Sequence, residues 1–449
     1  MSAACLTPTL EHSALSPLRD CASVRPAWMF WLAAVVVGVA FFVTENDTSI
    51  SLADAFTQTA DEMHAATSGG NLLRRFAFFA VAGLGGMLVL QTGGQRWQIN
   101  PPLAAAIVAY IGWCGISLLW SIAPGLCLRR LIVLGCTFIG ALGIARQFNM
   151  RELSQLALLV TGAVVGIGVL AEIRLGTFRP WSGDYRFSGS VHPNTQGMYL
   201  AVLVLSAWGL ARSAQRGRWA CWLILGAAMT LLVLTKSRTG LAALLVSMAA
   251  VLALQTSLRF KVLLGVFGGC LGAAMLLTLI VTGIDPADFR EAALLGRAEQ
   301  TESFSGRTMI WPEVLHFISQ RAIAGHGYES FWTADHVDGM FEALSWAVRE
   351  AHCGYLEVLL STGMVGLGLV LLVIALSLVS TSRSYLRQRD PTYGLPFGML
   401  VFGLLDSTME SGLVFINLGT FLVTCCLLRI AFFGDRQPLT PHSLGTIHA

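Results

Sequence analysis

Charge is the scarcest commodity in this 449-residue chain. Only 12% of its residues are Asp, Glu, Lys or Arg, where a soluble domain carries about a quarter. The formal net charge is +3, and no basic stretch interleaved with aromatics occurs. A nucleic-acid partner is therefore not expected. Metal-ligand spacing is missing too. Ten cysteines are present, but no pair has zinc spacing, and Cys114, Cys136, Cys221, Cys270, Cys425 and Cys426 lie inside apolar runs. Cysteine there behaves as a small hydrophobe, and a disulfide framework is not expected. Asp335-His336-Val337-Asp338 imitates a metal site, but its spacing matches no strong signature and reads as surface loop.

What the chain has instead is hydrophobic length. Apolar residues make up 55% and come in long runs near 27–43, 76–91, 103–120, 131–145, 153–173, 198–211, 219–235, 240–256, 262–283, 354–380, 395–408 and 412–432. A helix rising about 1.5 Å per residue crosses a hydrocarbon core of roughly 30 Å with about 20 such residues, the shorter runs using their flanks. The expected fold is all-α: a polytopic transmembrane bundle of about twelve spans. The first run reads as an anchor rather than a cleaved signal peptide, since no small-residue cleavage site follows it. Gly162 and Gly166 suggest a close helix crossing.

Arginine and lysine set the expected orientation. With the N-terminus inside, inside loops hold Arg96, Arg146, Arg151, Arg212, Arg216, Arg218, Arg259, Lys261, Arg383, Arg387 and Arg389. Outside segments hold most of the acids, Glu45, Asp47, Asp54, Asp61 and Glu62 among them. The reading is a cytoplasmic tail 1–26, helices one to nine over 27–283, an outer loop 284–351, helices ten to twelve over 352–432 and a cytoplasmic tail 433–449. The loop is rich in Trp, Phe and His, and Ile310, Val314, Phe317 and Ile318 recur at helical spacing. Short helices on the outer membrane face are expected there.

Arginines on the outer side run against this charge rule. They fall in Lys236-Ser237-Arg238-Thr239-Gly240, in Ser305-Gly306-Arg307-Thr308, and in the group Arg174, Arg179 and Arg186 ahead of His192-Pro193-Asn194. A charge near the hydrocarbon costs about 2.5–3.5 kcal/mol. Arginine's planar fork binds phosphate oxygens in bidentate fashion, so a lipid-linked diphosphate is a fitting ligand. Taken singly, Arg238 also has a lesser reading as a snorkelling residue at a helix end, and Arg307 reads equally as an arginine opening a loop helix. His352, where the loop meets the next span, titrates near neutrality and could take a proton from a hydroxyl. An interfacial histidine bonded to backbone is the plainer alternative, and His192, His316, His326 and His336 compete for the role. Glu357, Asp406 and Glu410, in or beside apolar runs, fit a proton path or the orienting of an arginine.

In this order, these motifs resemble the O-antigen ligase and polymerase superfamily of bacterial membrane glycosyltransferases. The resemblance spans residues 190–380. It rests on Ser237-Arg238-Thr239-Gly240, on Ser305-Gly306-Arg307-Thr308 with Trp311, and on Gly325-His326-Gly327-Tyr328 with Phe331 and Trp332. Ala351-His352-Cys353-Gly354-Tyr355-Leu356-Glu357 and His192-Pro193-Asn194 with Gly197 complete it. It implies an inner-membrane enzyme with a periplasmic site and both termini cytoplasmic. The implied donor is a glycan on undecaprenyl diphosphate, and the implied acceptor is lipid A core or a growing polysaccharide. Neither cofactor nor metal is implied, and transfer would invert the anomeric carbon. Arg238 and Arg307 would hold the diphosphate and His352 would activate the acceptor hydroxyl. Lys236, Arg186, His192, Asn194, Trp311 and Tyr355 are candidate supporting residues. Cys353 stands where the family commonly has Asn or Ser, which leaves the polar partner of His352 open. A protein O-oligosaccharyltransferase shares this scaffold. A transporter of a small anion or solute, coupled through the three acids, is the alternative of another class.

Overall fold

The computed structural model describes residues 26–45, 72–91, 94–183, 185–213, 217–256, 307–344, 348–412 and 415–433. All regular structure among them is helical: α1 Trp28–Glu45, α2 Leu72–Leu90, α3 Pro101–Ile116, α4 Pro124–Gln147, α5 Met150–Leu175, α6 Pro193–Ser213, α7 Arg218–Leu234, α8 Arg238–Gln255, α9 Arg307–Gln320, α10 Ala334–Leu344, α11 Gly354–Gln388, α12 Gly394–Asp406 and α13 Leu418–Leu428. Eleven of the apolar runs coincide with helices of this set. The run 262–283, most of both tails and the loop residues 284–306 lie outside the described residues.

Seven helices of the described residues are long and apolar enough to cross a membrane: α1, α2, α3 with its following turn to Trp120, α4, α5, α8 and α11. The run at 219–235 forms the shorter α7. That at 412–432 forms α13, continued by the π-helical Arg429–Phe433. α6 is buried on every side, from Gln196 to Ala211, as expected of a helix that is apolar all round and central in a bundle.

Glycines set the closest helix approach, at a different place from the one expected. A Cβ on Gly85 of α2 would stand 2.2 Å from the Ile139 carbonyl of α4, and one on Gly143 would stand 2.2 Å from the Gly85 carbonyl. These backbones touch, and small residues are what permits it. A Cβ at Gly162 would meet Leu203 at an ordinary 3.6 Å, and at Gly166 it would meet nothing within 4 Å.

The bundle has two dissimilar ends. At one end Gln95 N–H donates to the Arg146 carbonyl at 3.0 Å, Gln98 N–H to the Phe432 carbonyl at 2.7 Å, and the Asn100 amide to Ser380 Oγ at 2.9 Å. This end gathers the segments carrying Arg96, Arg146, Arg151, Arg383, Arg387 and Arg389. The other end joins the 185–194 segment, the 235–238 turn, α9, α10 and the 407–412 segment.

At that second end α9 and α10 form their own small core, with Ile310, Val314, Ile318, Phe331, Met340, Leu344, Val348, Ala351 and Leu360 buried. The helical spacing of Ile310, Val314 and Ile318 thus turns one face of α9 inward. This layer is stitched to α11 through backbone. α11 breaks at Gly363, whose φ of 67° and ψ of −167° are not helical and are open essentially to glycine alone. The groups released there pair with the loop after α9. Met364 N–H donates to the Ala322 carbonyl at 2.8 Å, and His326 and Gly327 N–H donate to the Leu360 and Ser361 carbonyls at 2.8 and 2.9 Å. Gly325, at φ 70°, lies so close that a Cβ would stand 2.6 Å from the Gly363 nitrogen.

Candidate active site at the loop end of the bundle

The cavity at this end has a volume of about 210 Å³ and is lined by Arg186, His192, Asn194, Lys236, Ser237, Arg238, Thr239, Arg307, His352 and Glu410. Seven of the nine residues singled out in the sequence therefore share one cavity: Arg238, Arg307, His352, Lys236, Arg186, His192 and Asn194. They come from four separated segments, and Glu410 adds a fifth to the lining.

Helix starts deliver most of them. α8 begins at Arg238 with Ser237 as its N-cap, the hydroxyl accepting from Gly240 N–H. α6 begins at Pro193, where proline's fixed φ and missing N–H suit the first turn. Asn194 N–H donates to His192 Nδ1 at 3.3 Å. α11 begins at Gly354, two residues after His352. Helix N-termini carry partial positive charge, so the first turns of α6 and α8 reinforce the arginines and make the cavity suited to an anion.

A chain of polar contacts orders the cations. Arg186 Nε donates to the Thr235 carbonyl at 2.8 Å, and its Nη2 donates to Asn194 Oδ1 at 2.7 Å. The Asn194 amide donates to Glu410 Oε1 at 2.6 Å, and Arg307 Nη2 donates to that same oxygen. The Arg307–Glu410 pair is 13% and 14% exposed. Lys236, at φ 50°, donates to the Gly183 carbonyl. Arg238 differs from the rest: among the described residues its side chain makes no hydrogen bond or ion pair, although it lines the cavity.

His352 stands in a constrained loop. Its φ is 49°, in the left-handed region that costs a non-glycine residue about 1–3 kcal/mol. The flanking residues are fixed: Trp311 Nε1 donates to the Ala351 carbonyl at 3.1 Å, Ala351 N–H donates to Glu357, and Gly354 N–H donates to the Ser407 carbonyl at 2.8 Å. His352 Nδ1 lies 3.1 Å from Glu350 Oε1. Burial drives this imidazole down, but the Glu350 carboxylate, with Glu410 behind it, outweighs burial and leaves it above its ordinary value. Burial likewise pushes the Glu350 carboxyl up, and His352 outweighs that and holds it below the usual range. His192 goes the other way: burial, then Arg186, push it down to about 4, so it is neutral at pH 7.

Two expected supporters are elsewhere. Trp311 and Tyr355 do not line the cavity; Trp311 secures Ala351, and the Tyr355 hydroxyl donates to the Leu404 carbonyl at 2.6 Å. Of the competing histidines, His316 is exposed on α9 beside Gln320. His326 is buried with Nδ1 3.2 Å from the Leu360 carbonyl, and His336 has Nδ1 2.9 Å from Thr333 Oγ1. The three acids also part company. Glu410 orients an arginine, one of the two roles open to it from sequence. Glu357 holds Ala351 N–H and the Trp332 indole N–H, and Asp406 is buried on α12 outside the cavity lining. Sequence reasoning passed over Glu350, two residues before His352 and without a motif to mark it.

Residues 220–371 match the family model described as O-antigen ligase. The chain is also 26% identical over 317 residues to the exopolysaccharide production protein ExoQ of Rhizobium meliloti (strain 1021), a match covering 65% of this chain and 69% of that protein.

Proposed function

We propose that this chain, whose residues 220–371 match the O-antigen ligase family model, is a member of the O-antigen ligase and polymerase superfamily and transfers a glycan from undecaprenyl diphosphate to a sugar hydroxyl at the periplasmic face of the inner membrane. The observation that carries this reading is the sharing of one cavity by Arg238, Arg307 and His352. The arginine-rich loops at the opposite end of the bundle support a cytoplasmic assignment for that end.

In the proposed reaction the acceptor oxygen attacks the anomeric carbon. The bond from that carbon to the diphosphate oxygen breaks, and the lipid diphosphate leaves with the electron pair. His352 takes the hydroxyl proton. Arg307, aimed by Glu410, and Arg238, which has no competing carboxylate among the described residues, face the charge growing on the leaving group. Preorganised donors of this kind usually supply the largest single contribution to such a barrier. Diphosphate leaves readily, so the step needs no metal, and a single displacement inverts the anomeric carbon. The likeness to an exopolysaccharide production protein supports a growing polysaccharide as acceptor over lipid A core.

The acids count against the transport alternative, because Glu357 and Glu410 are engaged in holding the loop and Arg307. The test is a deletion strain complemented with the wild type, Arg238→Ala or His352→Ala, scored for lipopolysaccharide ladders and secreted polysaccharide. Lost polymer with accumulated lipid-linked single repeats is expected for the deletion and both variants. Normal polymer from either variant, inserted at wild-type level, removes the proposed site.

A further inference from the structure

Cys353 cannot serve His352 as an Asn or Ser would, and the structure supplies a partner from the other side. Glu350 Oε1 is 3.1 Å from Nδ1 of His352, and it stands behind the histidine, outside the cavity lining. The loop between them is short and held by the two hydrogen bonds at Ala351, which keeps the two residues adjacent; Nδ1 makes no other hydrogen bond among the described residues, and a small turn of the imidazole aligns it with the carboxylate. A carboxylate on one ring nitrogen fixes the tautomer, because the proton must sit on the nitrogen facing the carboxylate. We propose that Glu350 is a positioning residue that keeps the proton of neutral His352 on Nδ1, leaving Nε2 as the nitrogen that accepts the proton of the acceptor hydroxyl.

This rests on the transfer reading above and adds a named orienter to it. When Nε2 takes the hydroxyl proton, the imidazolium that forms lies against a carboxylate that stays ionised. Balance is complete: the proton moves from acceptor oxygen to Nε2, and Glu350 changes neither charge nor bonding. The same role falls to the acid in a Ser-His-Asp triad. Other charged and titratable groups also face His352: Glu410 from the 407–412 segment, Arg307 from α9 and neutral His192 ahead of α6. Across the cavity stand Arg186, Lys236 and Arg238. Cations outnumber acids along the walls, so Glu350 is the group that makes the histidine a usable base.

The experiment uses the full chain labelled with 15N-histidine in lipid nanodiscs, the His352 signal being assigned by its loss in His352→Ala. The wild type is expected to show the Nδ1–H tautomer. In Glu350→Gln the tautomers should mix, and the titration midpoint should fall by about one pH unit or more. Turnover of lipid-linked oligosaccharide extracted from the deletion strain should drop about 100-fold, with its acid limb moving to lower pH, and Glu350→Asp should recover part of it. An unchanged tautomer and midpoint in folded Glu350→Gln overturns the proposal. Should the Gln variant not fold, the Asp variant carries the same test through a shifted midpoint, and an unshifted one overturns it. If His352→Ala is inactive while Glu350→Gln keeps the wild-type rate and pH profile, Glu350 has no such role and the transfer reading stands. If His352→Ala is fully active, the transfer reading fails whatever the spectra show.

Discussion

Arg238 and Arg307 line one cavity, yet removing them should have different consequences for the fold. Arg307 shares a nearly buried pair with Glu410, 13% and 14% exposed. Arg307→Ala leaves that carboxylate with Asn194 alone. Stranding one member of a buried pair costs about 3–5 kcal/mol, and the remaining amide and partial exposure put this case near the lower bound, about 3 kcal/mol. Arg238 has no carboxylate partner among the described residues, so Arg238→Ala strands none of them and should stay within about 0.5 kcal/mol of the wild type. Both variants should lose about 100- to 1,000-fold in transfer, the usual penalty for deleting one preorganised donor. The double variant Arg307→Ala/Glu410→Gln separates the two effects. A neutral amide needs no cation, so most of the lost stability returns, while activity stays lost. Stability can be followed in detergent with a thiol-reactive fluorophore, because Cys114, Cys127, Cys136, Cys353, Cys425 and Cys426 are buried and react only on unfolding. Consumption of lipid-linked glycan reads activity. The reasoning is refuted if Arg238→Ala is as unstable as Arg307→Ala, or if the double variant regains turnover.

His352→Ala should lower kcat by about 100- to 10,000-fold and leave donor affinity unchanged, as measured by single-turnover kinetics against equilibrium binding of the donor. Because His352 is held above its ordinary value and is the proposed base, transfer should fall as pH drops through that raised pKa. His192 is neutral at all pH values above about 4, so His192→Gln should leave the position of that limb unchanged in a pH–rate profile. Gly363→Ala should destabilise the protein severely without touching the cavity, since its Cβ would stand 2.2 Å from the Ile323 carbonyl at φ 67°; a wild-type unfolding midpoint would contradict the backbone account of that break.

Most of the helices were legible because hydrophobic length is a local signal. The runs at 27–43 and 153–173 become α1 and α5 within a few residues. The exceptions have local causes as well. α4 begins at Pro124, seven residues before its apolar run, because proline starts a helix well and two arginines, Arg129 and Arg130, hide the first turns from a hydropathy reading. In the site, Arg238 and Arg307 announced themselves by violating the charge rule. Glu350 did not, since an acid beside a histidine in a polar loop is unremarkable until the fold turns it inward. Trp311 and Tyr355 lie outside the cavity lining, because proximity in sequence to an arginine or a histidine says nothing about which face of α9 or α11 a ring occupies. The link from Arg186 through Asn194 to Glu410 joins positions up to 216 residues apart, and no spacing rule reaches that far.

That link explains how the cavity can be rigid although its walls belong to five segments. Flexible arginines alone would make a poor clamp, since each must lose side-chain freedom on every turnover. Here the order is built in beforehand. Glu410 Oε1 takes hydrogen bonds from Asn194 and Arg307 together, so one oxygen sets the relation between the start of α6 and the start of α9. Glu410 is itself placed by backbone, its carbonyl accepting from Gly354 N–H at 3.1 Å, directly beside the loop that holds His352. The acid that aims Arg307 and the turn that carries His352 are thus one mechanical unit. A change that shifts the 407–412 segment moves His352 and Arg307 together and preserves their spacing, which is the condition the proposed in-line transfer requires.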